Sequence, residues 1–391
     1  MGPIEIKEDI YWIGALDPGL RLFDILFPTE AGTTYNAYLV RGEKVAVVDT
    51  AKGRCYDQFL SHLTSLVAPE DVDYVVCNHM EPDHSGSLAA FLEEAKNAQV
   101  VVSRTGEHYV RNILNADVNP LKMGDGDVLD LGGKTLQFVS APFLHWPDTM
   151  FTYAVEEKVL FPCDVLGSHV CDERMFDDLL GDFSEQFEYY YQGIMRPFKD
   201  KMLEAIAKIR GLDIDVIAPS HGPILRRDPW RYVEQYVEWS TPVSATVKKV
   251  LVSYASAHGN TKMMAEEVAK GAAIDGVEVE VFDLTEMDPG EVLDDIEAAQ
   301  ALIVGSPTIN GDAVKPVWDL LSSLATIRLR GKVGGAFGSY GWSGEAVGMI
   351  EDRLKSLKFK VTEPGVRFAL VPTAEELEAC REFGARVAES L

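Results

Sequence analysis

Between positions 79 and 84 the chain reads His79-Met80-Glu81-Pro82-Asp83-His84, two imidazoles and two carboxylates within six residues. A fold that buries such a segment must give its charges and lone pairs a partner, because an uncompensated buried charge is costly. The segment directly follows Asp73-Tyr74-Val75-Val76-Cys77, an apolar, β-branched and aromatic run that reads as a short buried strand. The ligand-rich residues begin where a strand stops.

The same arrangement recurs downstream. His145 comes after the strand Lys134 to Val139, Asp164 directly after Val159-Leu160-Phe161, and His221 after Val216-Ile217-Ala218. Upstream, Thr33 to Val40 and Lys44 to Thr50 read as two strands joined by a polar turn at Arg41-Gly42-Glu43. Phe59, Leu60, Leu63 and Leu66 mark a helix between Tyr56 and Leu66, Ser87 to Lys96 and Gly106 to Leu114 are further helices, and Gln99 to Val102 is a strand. Four ligand clusters at four strand ends predict convergence on one sheet edge, where a rigid scaffold presents groups carried on loops.

Taken singly, each histidine reads better as an ordinary residue of a solvated polar loop. Taken together, four imidazoles with Glu81, Asp83 and Asp164 make seven donors. That is too many for one tetrahedral zinc and suits two five- or six-coordinate ions, with Asp164 as the natural bridge. Two ions about 3.5–4 Å apart can hold both ends of a small substrate, for hydrolysis or for reductive activation. The oxygen donor at Glu81 favours iron or manganese over the zinc of imidazole-rich sites. His169, five residues beyond Asp164, is a further candidate for the same site, with a surface loop as its alternative. Tyr191 stands in a run of three tyrosines, which by itself reads as core packing. His62 and His108 lie in helical stretches and are expected to face solvent.

A seam falls near Trp239-Ser240-Thr241-Pro242-Val243. Beyond it, strands at 250–254, 278–282, 301–305, 333–337 and 360–369 alternate with helices at 261–273, 291–298, 313–324, 344–357 and 373–389, the order of a doubly wound parallel sheet. Two domains are expected, 1–247 and 248–391. The first strand-to-helix turn of the second carries Ser256-Ala257-His258-Gly259-Asn260-Thr261, an anion cradle of backbone N–H groups and hydroxyls that suits the single phosphate of FMN. Alone it could be a capped turn, and it is not the G-x-G-x-x-G pattern of a dinucleotide site. Two more loops, Ser306-Pro307-Thr308-Ile309-Asn310-Gly311 and Ser339-Tyr340-Gly341-Trp342-Ser343-Gly344, follow the third and fourth strands at the carboxyl edge where ligands of such sheets bind. Tyr340 and Trp342 offer aromatic surface for an isoalloxazine ring.

A formal charge of −26 with no basic run excludes nucleic-acid binding. No apolar stretch long enough to span a membrane and no secretory signal is present, so a cytoplasmic protein is expected. The five cysteines include no C-x-x-C pair.

The spacing His-x-Glu-x-Asp-His at 79–84 followed by His145, Asp164 and His221 resembles the flavodiiron proteins, or A-type flavoproteins, a branch of the metallo-β-lactamase fold, and the three later loops resemble flavodoxin. The resemblance implies an α/β chain in which a metallo-β-lactamase-like αββα sandwich precedes a flavodoxin-like sheet. It implies that His79, Glu81 and His145 hold one iron, that Asp83, His84 and His221 hold the other, that Asp164 bridges them, and that Tyr191 stands just outside the ligands. Hydrolases of this fold usually carry histidine where Glu81 stands. The implied activity is reduction of O2 to water, of NO to N2O, or both, with electrons relayed by FMN. Without a C-x-x-C pair the donor is external, a rubredoxin or the reduced deazaflavin F420. The implied assembly is a head-to-tail homodimer or a dimer of dimers. The rival readings are a zinc hydrolase with a fused flavodoxin and a non-catalytic electron-transfer module.

Overall fold

The computed structural model describes residues 1–242, 247–362 and 364–391. The chain divides into two compact units, Met1–Thr241 and Pro242–Leu391. Val243 of the expected seam, and the residues just before the expected boundary at 247, lie outside the described residues.

The first unit is a sandwich of two sheets. In spatial order the seven-stranded sheet runs Ile4–Lys7, Ile10–Trp12, Tyr38–Arg41, Val45–Val48, Tyr74–Cys77, Gln99–Ser103, Leu121–Met123. It is antiparallel as far as Val45–Val48 and parallel beyond. The five-stranded sheet runs Val128–Asp130, Thr135–Ser140, Met150–Ala154, Val159–Phe161, Val216–Ile217, antiparallel except for its last pair. Successive side chains of a strand point to opposite faces. Accordingly Ala46, Val48, Val76 and Val101 meet Phe138, Met150, Val159 and Phe161 in the interior between the sheets. Their neighbours Val47, Val75, Val102, Phe151 and Leu160 face the helices, where Phe59, Leu63, Phe91, Ile206 and Val233 cover them. Strands that are apolar on both faces need both faces covered, which is why the layers are αββα.

The run from Thr33 to Val40 is not one strand. Thr33–Tyr35 pairs with Ala15–Asp17, whereas Tyr38–Arg41 joins the large sheet. The break falls at Asn36, whose side chain accepts from the Trp12 indole at 2.8 Å and donates to the carbonyls of Pro219 and Gly222. His62 is buried rather than solvent-facing, because its ring bonds to the carbonyls of Gly14 and Met1, while His108 is exposed.

The second unit is a parallel sheet in the spatial order Val277–Asp283, Lys248–Tyr254, Ala301–Gly305, Val333–Tyr340, Val366–Ala369. Helices Asn260–Ala272 and Ala374–Glu389 cover one face, and Lys315–Ser323 and Glu345–Ser356 the other. The strand expected over 360–369 is two pieces, Lys360–Val361 and Val366–Ala369, and Glu363 of that stretch lies outside the described residues. Among the described residues no helix is long and apolar enough to cross a membrane.

Candidate metal centre

The seven ligand candidates come from the ends of both sheets of the first unit, not from one sheet edge. The strand Tyr74–Cys77 of the large sheet delivers His79 to His84, and three strands of the small sheet lead to His145, Asp164 and His221. Alternation along a strand encodes its faces and not its neighbours, so the sequence could not show that two sheets share the site.

The side chains gather into two triads around one carboxylate. Glu81 Oε2 lies 3.1 Å from His79 Nε2 and 3.0 Å from His145 Nε2, and Asp164 Oδ2 is 3.8 Å from each of those nitrogens. In the other triad Asp83 contacts His84 Nε2 at 3.3 Å and His221 Nε2 at 3.1 Å, and Asp164 Oδ1 reaches the same two nitrogens at 3.1 and 3.3 Å. Both oxygens of Asp83 and the Nε2 atoms of His84 and His221 are buried without hydrogen-bond geometry to any neighbour. Such crowded donors without hydrogen bonds are lone pairs aimed at a common point, the geometry a cation requires. The set fits two ions.

The ring tautomers are fixed from outside. His221 Nδ1 donates to the Thr34 carbonyl at 2.6 Å and His79 Nδ1 to Asp148 at 3.2 Å, which leaves both Nε2 atoms facing the centre. Of the three consecutive tyrosines, Tyr190 reaches the cluster, donating from its hydroxyl to Asp164 Oδ1 at 3.1 Å. The sequence expectation for Tyr191 is not what the structure places there: its hydroxyl lies 2.9 Å from Ser240 Oγ and its ring packs on Tyr236 and Trp239. Burial and the neighbouring Asp164 hold the Tyr190 hydroxyl protonated far above its usual range. His169 does approach the centre, with its ring 4.9 Å from that of Tyr190 and 5.8 Å from that of His221. Its Nδ1 meets the Thr33 hydroxyl at 3.0 Å, and its Nε2 is buried and unpartnered.

In the second unit the three candidate loops are tied together. Thr261 Oγ1 lies 2.9 Å from Ser339 Oγ, and Thr308 pairs with Tyr340 along the sheet. The helix Asn260–Ala272 starts immediately after Gly259, whose φ of +82° suits glycine and whose missing Cβ leaves open space. Ser256 Oγ accepts from the Lys262 amide at 3.2 Å. The free N–H groups of such a helix start suit a phosphate. Asn310 and Gly311, both at positive φ, turn the hairpin Thr308–Ile309 to Asp312–Ala313, His258 is exposed, and the Trp342 ring is 78% exposed. The cradle and the open aromatic surface fit FMN.

Residues 33–222 match the ODP family beta lactamase, and residues 252–384 match flavodoxin. A type A flavoprotein of Rhodobacter capsulatus is 45% identical over 100% of this chain and 92% of its own length. A flavo-diiron protein of Clostridium acetobutylicum is 40% identical over 100% of both chains, and a nitric oxide reductase of Moorella thermoacetica 39% identical over 99% of this chain and 98% of that one. The chain belongs to the flavodiiron proteins, the type A flavoproteins. Among solved structures, the rubredoxin oxygen:oxidoreductase of Desulfovibrio gigas matches with a TM-score of 0.73 and 30% identity, covering 99% of this flavodiiron chain and 98% of that one.

Three carboxylates of this flavodiiron protein lie beside the ligands and were missed in the sequence. Asp148 holds His79 and also accepts from the Met80 amide at 2.8 Å. Asp49, at positive φ, accepts from the Asn78 amide at 2.8 Å and from the Asn78 side chain at 3.3 Å. Burial pushes Asp49 up to about 6 against the pull of His84. Asp24, exposed on the turn between Leu22–Phe23 and Phe27–Pro28, has its carboxyl raised by partial burial and by the charges of Glu81 and Asp83. Asp49 ends a strand and Asp148 follows a proline, contexts in which an aspartate usually serves a turn.

Proton linkage gives a first prediction. Burial works against charge on the histidines, yet Asp148 and Glu81 push His79 up to about 9, and Asp164 and Asp83 push His84 and His221 up to about 10. Burial is likewise overcome at Glu81, Asp83 and Asp164, whose carboxyls the histidines hold below their usual range. In apoprotein the raised histidines contribute stability that is complete below about pH 6.5 and lost as pH rises through 9 to 10. The depressed carboxylates contribute stability above about pH 4 that is lost as pH falls. The apoprotein should therefore melt highest near about pH 5–6. Loading with ferrous iron at neutral pH should release protons and strengthen with pH. Calorimetric titration in two buffers of different ionisation enthalpy counts those protons, and a count of zero contradicts the linkage.

Proposed function

We propose that the chain reduces O2 to water, NO to N2O, or both, at two irons fed by FMN. In this reading residues 1–247 form the diiron domain and 248–391 the FMN domain. The observation that carries it is the Asp164 carboxylate, with one oxygen turned to each triad and Glu81 in the first of them. The Moorella relative is named for nitric oxide reduction and the Desulfovibrio neighbour for oxygen reduction with rubredoxin.

His79, Glu81 and His145 would hold one iron and Asp83, His84 and His221 the other, with Asp164 between. Ser256 to Thr261 would hold the FMN phosphate, and Pro307 to Asn310 with Ser339 to Gly344 the ring. When bound, the irons supply reducible ions with open positions for a diatomic substrate, and the flavin supplies the electrons. Two NO consume two electrons and two protons to give N2O and water, and O2 consumes four of each to give two waters. The protein's own part is to position the substrate and to govern protons. Tyr190 keeps its proton and orients Asp164. Burial and His221 hold His169 neutral by pushing it down to about 3, so it offers a hydrogen bond to substrate without adding charge. Phe23 is a buried apolar ring packed on His169 and His221, with centroids 4.4 and 5.3 Å apart, and covers that side of the centre.

The electrons come from an external rubredoxin or reduced F420, and the working form is a head-to-tail homodimer or a dimer of dimers. A monomer with full turnover would refute that assembly. The place of action is the cytoplasm, in keeping with five free cysteines, four of them buried. The test is to count iron and flavin per chain and to assay the reduced protein for O2 and NO consumption in parallel. Two irons, one FMN and gas consumption are expected. Zinc with hydrolytic activity would instead mark a hydrolase, and full cofactors without gas consumption an electron carrier.

Glu81 supplies a second prediction. Glu81→His removes an oxygen donor from the first triad and should shift metal content from iron towards zinc, with gas consumption falling by about 10²-fold or more. Elemental analysis of protein grown with both metals reads the shift, and an unchanged iron content would refute it.

A further inference from the structure

We infer that Asp148 is a positioning residue that makes the two halves of the centre unequal, favouring the ferric state of the ion held by His79, Glu81 and His145. The inference rests on the diiron reading above. The Asp148 side chain is buried, with one oxygen 3.2 Å from His79 Nδ1 and the other accepting from the Met80 amide at 2.8 Å. It stands on the turn that also carries His145, where the amides of Phe143 and Thr149 donate to the Trp146 carbonyl at 2.7 and 3.4 Å. The Trp146 ring stands edge-on to His79, with centroids 5.1 Å apart. One carboxylate thereby clamps together the two loops that supply all three ligands of one triad.

The other triad is held differently. His221 Nδ1 donates to the neutral backbone carbonyl of Thr34 at 2.6 Å. Among the described residues no hydrogen bond joins His84 or His221 to a carboxylate outside the ligand set. Asp49 attracts His84 only through space, its two oxygens accepting from the amide and the side chain of Asn78. A carboxylate on the N–H of a ligating imidazole fixes its tautomer and makes its other nitrogen a stronger donor, more so than a carbonyl does. A stronger donor favours the higher charge on the ion it binds. The ion on the Asp148 side is therefore the first to be oxidised and the last to be reduced.

The experiment uses the full chain with Asp148→Asn, which keeps the shape and removes the charge, and Asp148→Glu, which keeps the charge. Ferrous iron is titrated into each apoprotein, and loaded samples are poised at stepped potentials and read by the mixed-valence electron paramagnetic resonance signal. FMN content and the far-ultraviolet spectrum report folding independently of iron. In Asp148→Asn the affinity for one of the two irons should fall about 10- to 100-fold while the other is retained. With excess iron, that ion's potential should rise and the mixed-valence window should narrow. Asp148→Glu should keep two irons and the wider window. Asp148→Ser, also uncharged, replaces Asp148→Asn if the latter does not accumulate. Equal weakening of both irons, an unchanged window, or a Glu variant that behaves like the uncharged one overturns the inference while the diiron reading stands. An unmutated chain that holds fewer than two irons overturns both.

Discussion

Asp164→Ala is expected to strip both halves of the centre at once, whereas loss of any other ligand should weaken chiefly one half. Asp164 is the only carboxylate of the set that contacts histidines of both triads, at 3.1 and 3.3 Å in one and 3.8 Å in the other. Iron content should fall to about a tenth of the unmutated level or lower, and gas consumption by about 10³-fold or more. The apoprotein should suffer as well. His84 and His221 are held protonated largely by Asp164 and Asp83. Removing one partner of a buried charged cluster costs about 3–5 kcal/mol, so the first unit should unfold at lower denaturant. FMN content should be unchanged, because the loops proposed to hold the flavin belong to the other compact unit. Iron retained at unmutated levels would refute the bridging assignment.

Gly271→Ala should be the most damaging single methyl in the second unit. Gly271 lies in the helix Asn260–Ala272 where it crosses Ala374–Glu389, and a Cβ there would stand 1.8 Å from the Arg381 carbonyl oxygen and 2.6 Å from its carbon. The approach is reciprocal, since a Cβ on Gly384 would stand 2.0 Å from the Val268 carbonyl oxygen. These obstacles are backbone atoms, which cannot step aside by changing rotamer, so overpacking should cost about 3 kcal/mol or more. The helix that must shift is the one whose N-terminus is proposed to hold the flavin phosphate, so FMN should be released at lower denaturant than in the unmutated chain. Gly348→Ala is the control: a Cβ at that position meets nothing within 4 Å in the helix Glu345–Ser356, and it should be neutral or stabilising by up to about 1 kcal/mol. Denaturant titration followed by flavin fluorescence distinguishes the two, and a Gly271→Ala variant as stable as the unmutated chain would show that the crossing is loosely packed.

What the sequence disclosed and what it withheld follow from how each signal is encoded. That His79, Glu81, Asp83, His84, His145, Asp164 and His221 would gather was legible because metal-binding chemistry resides in residue type, and each stands close after a recognisable strand. The doubly wound order of the second unit was legible because helix and strand periods alternate there without interruption. The pairing of strands was not, so the two sheets that share the centre read as one. The choice between Tyr190 and Tyr191 was also out of reach, since consecutive residues of a helix point about 100° apart and nothing local says which direction faces Asp164. Asp148 and Asp49 carry no local mark at all, because their partners, His79 and Asn78, are distant in sequence. The burial of His62 is likewise a tertiary fact, fixed by the carbonyls of Gly14 and Met1.

The central claim is that electrons held by the flavin leave through the centre built on Asp164. It is tested most directly by reducing the FMN-loaded chain anaerobically, mixing it with NO or O2 in a stopped-flow instrument, and following flavin reoxidation by absorbance. Fast reoxidation is predicted in the unmutated protein, with reoxidation slowed by about 10²-fold or more in Asp164→Ala that retains its FMN. Equal rates in the two proteins would contradict the account, because the flavin would then be reacting with the gas without the metal centre.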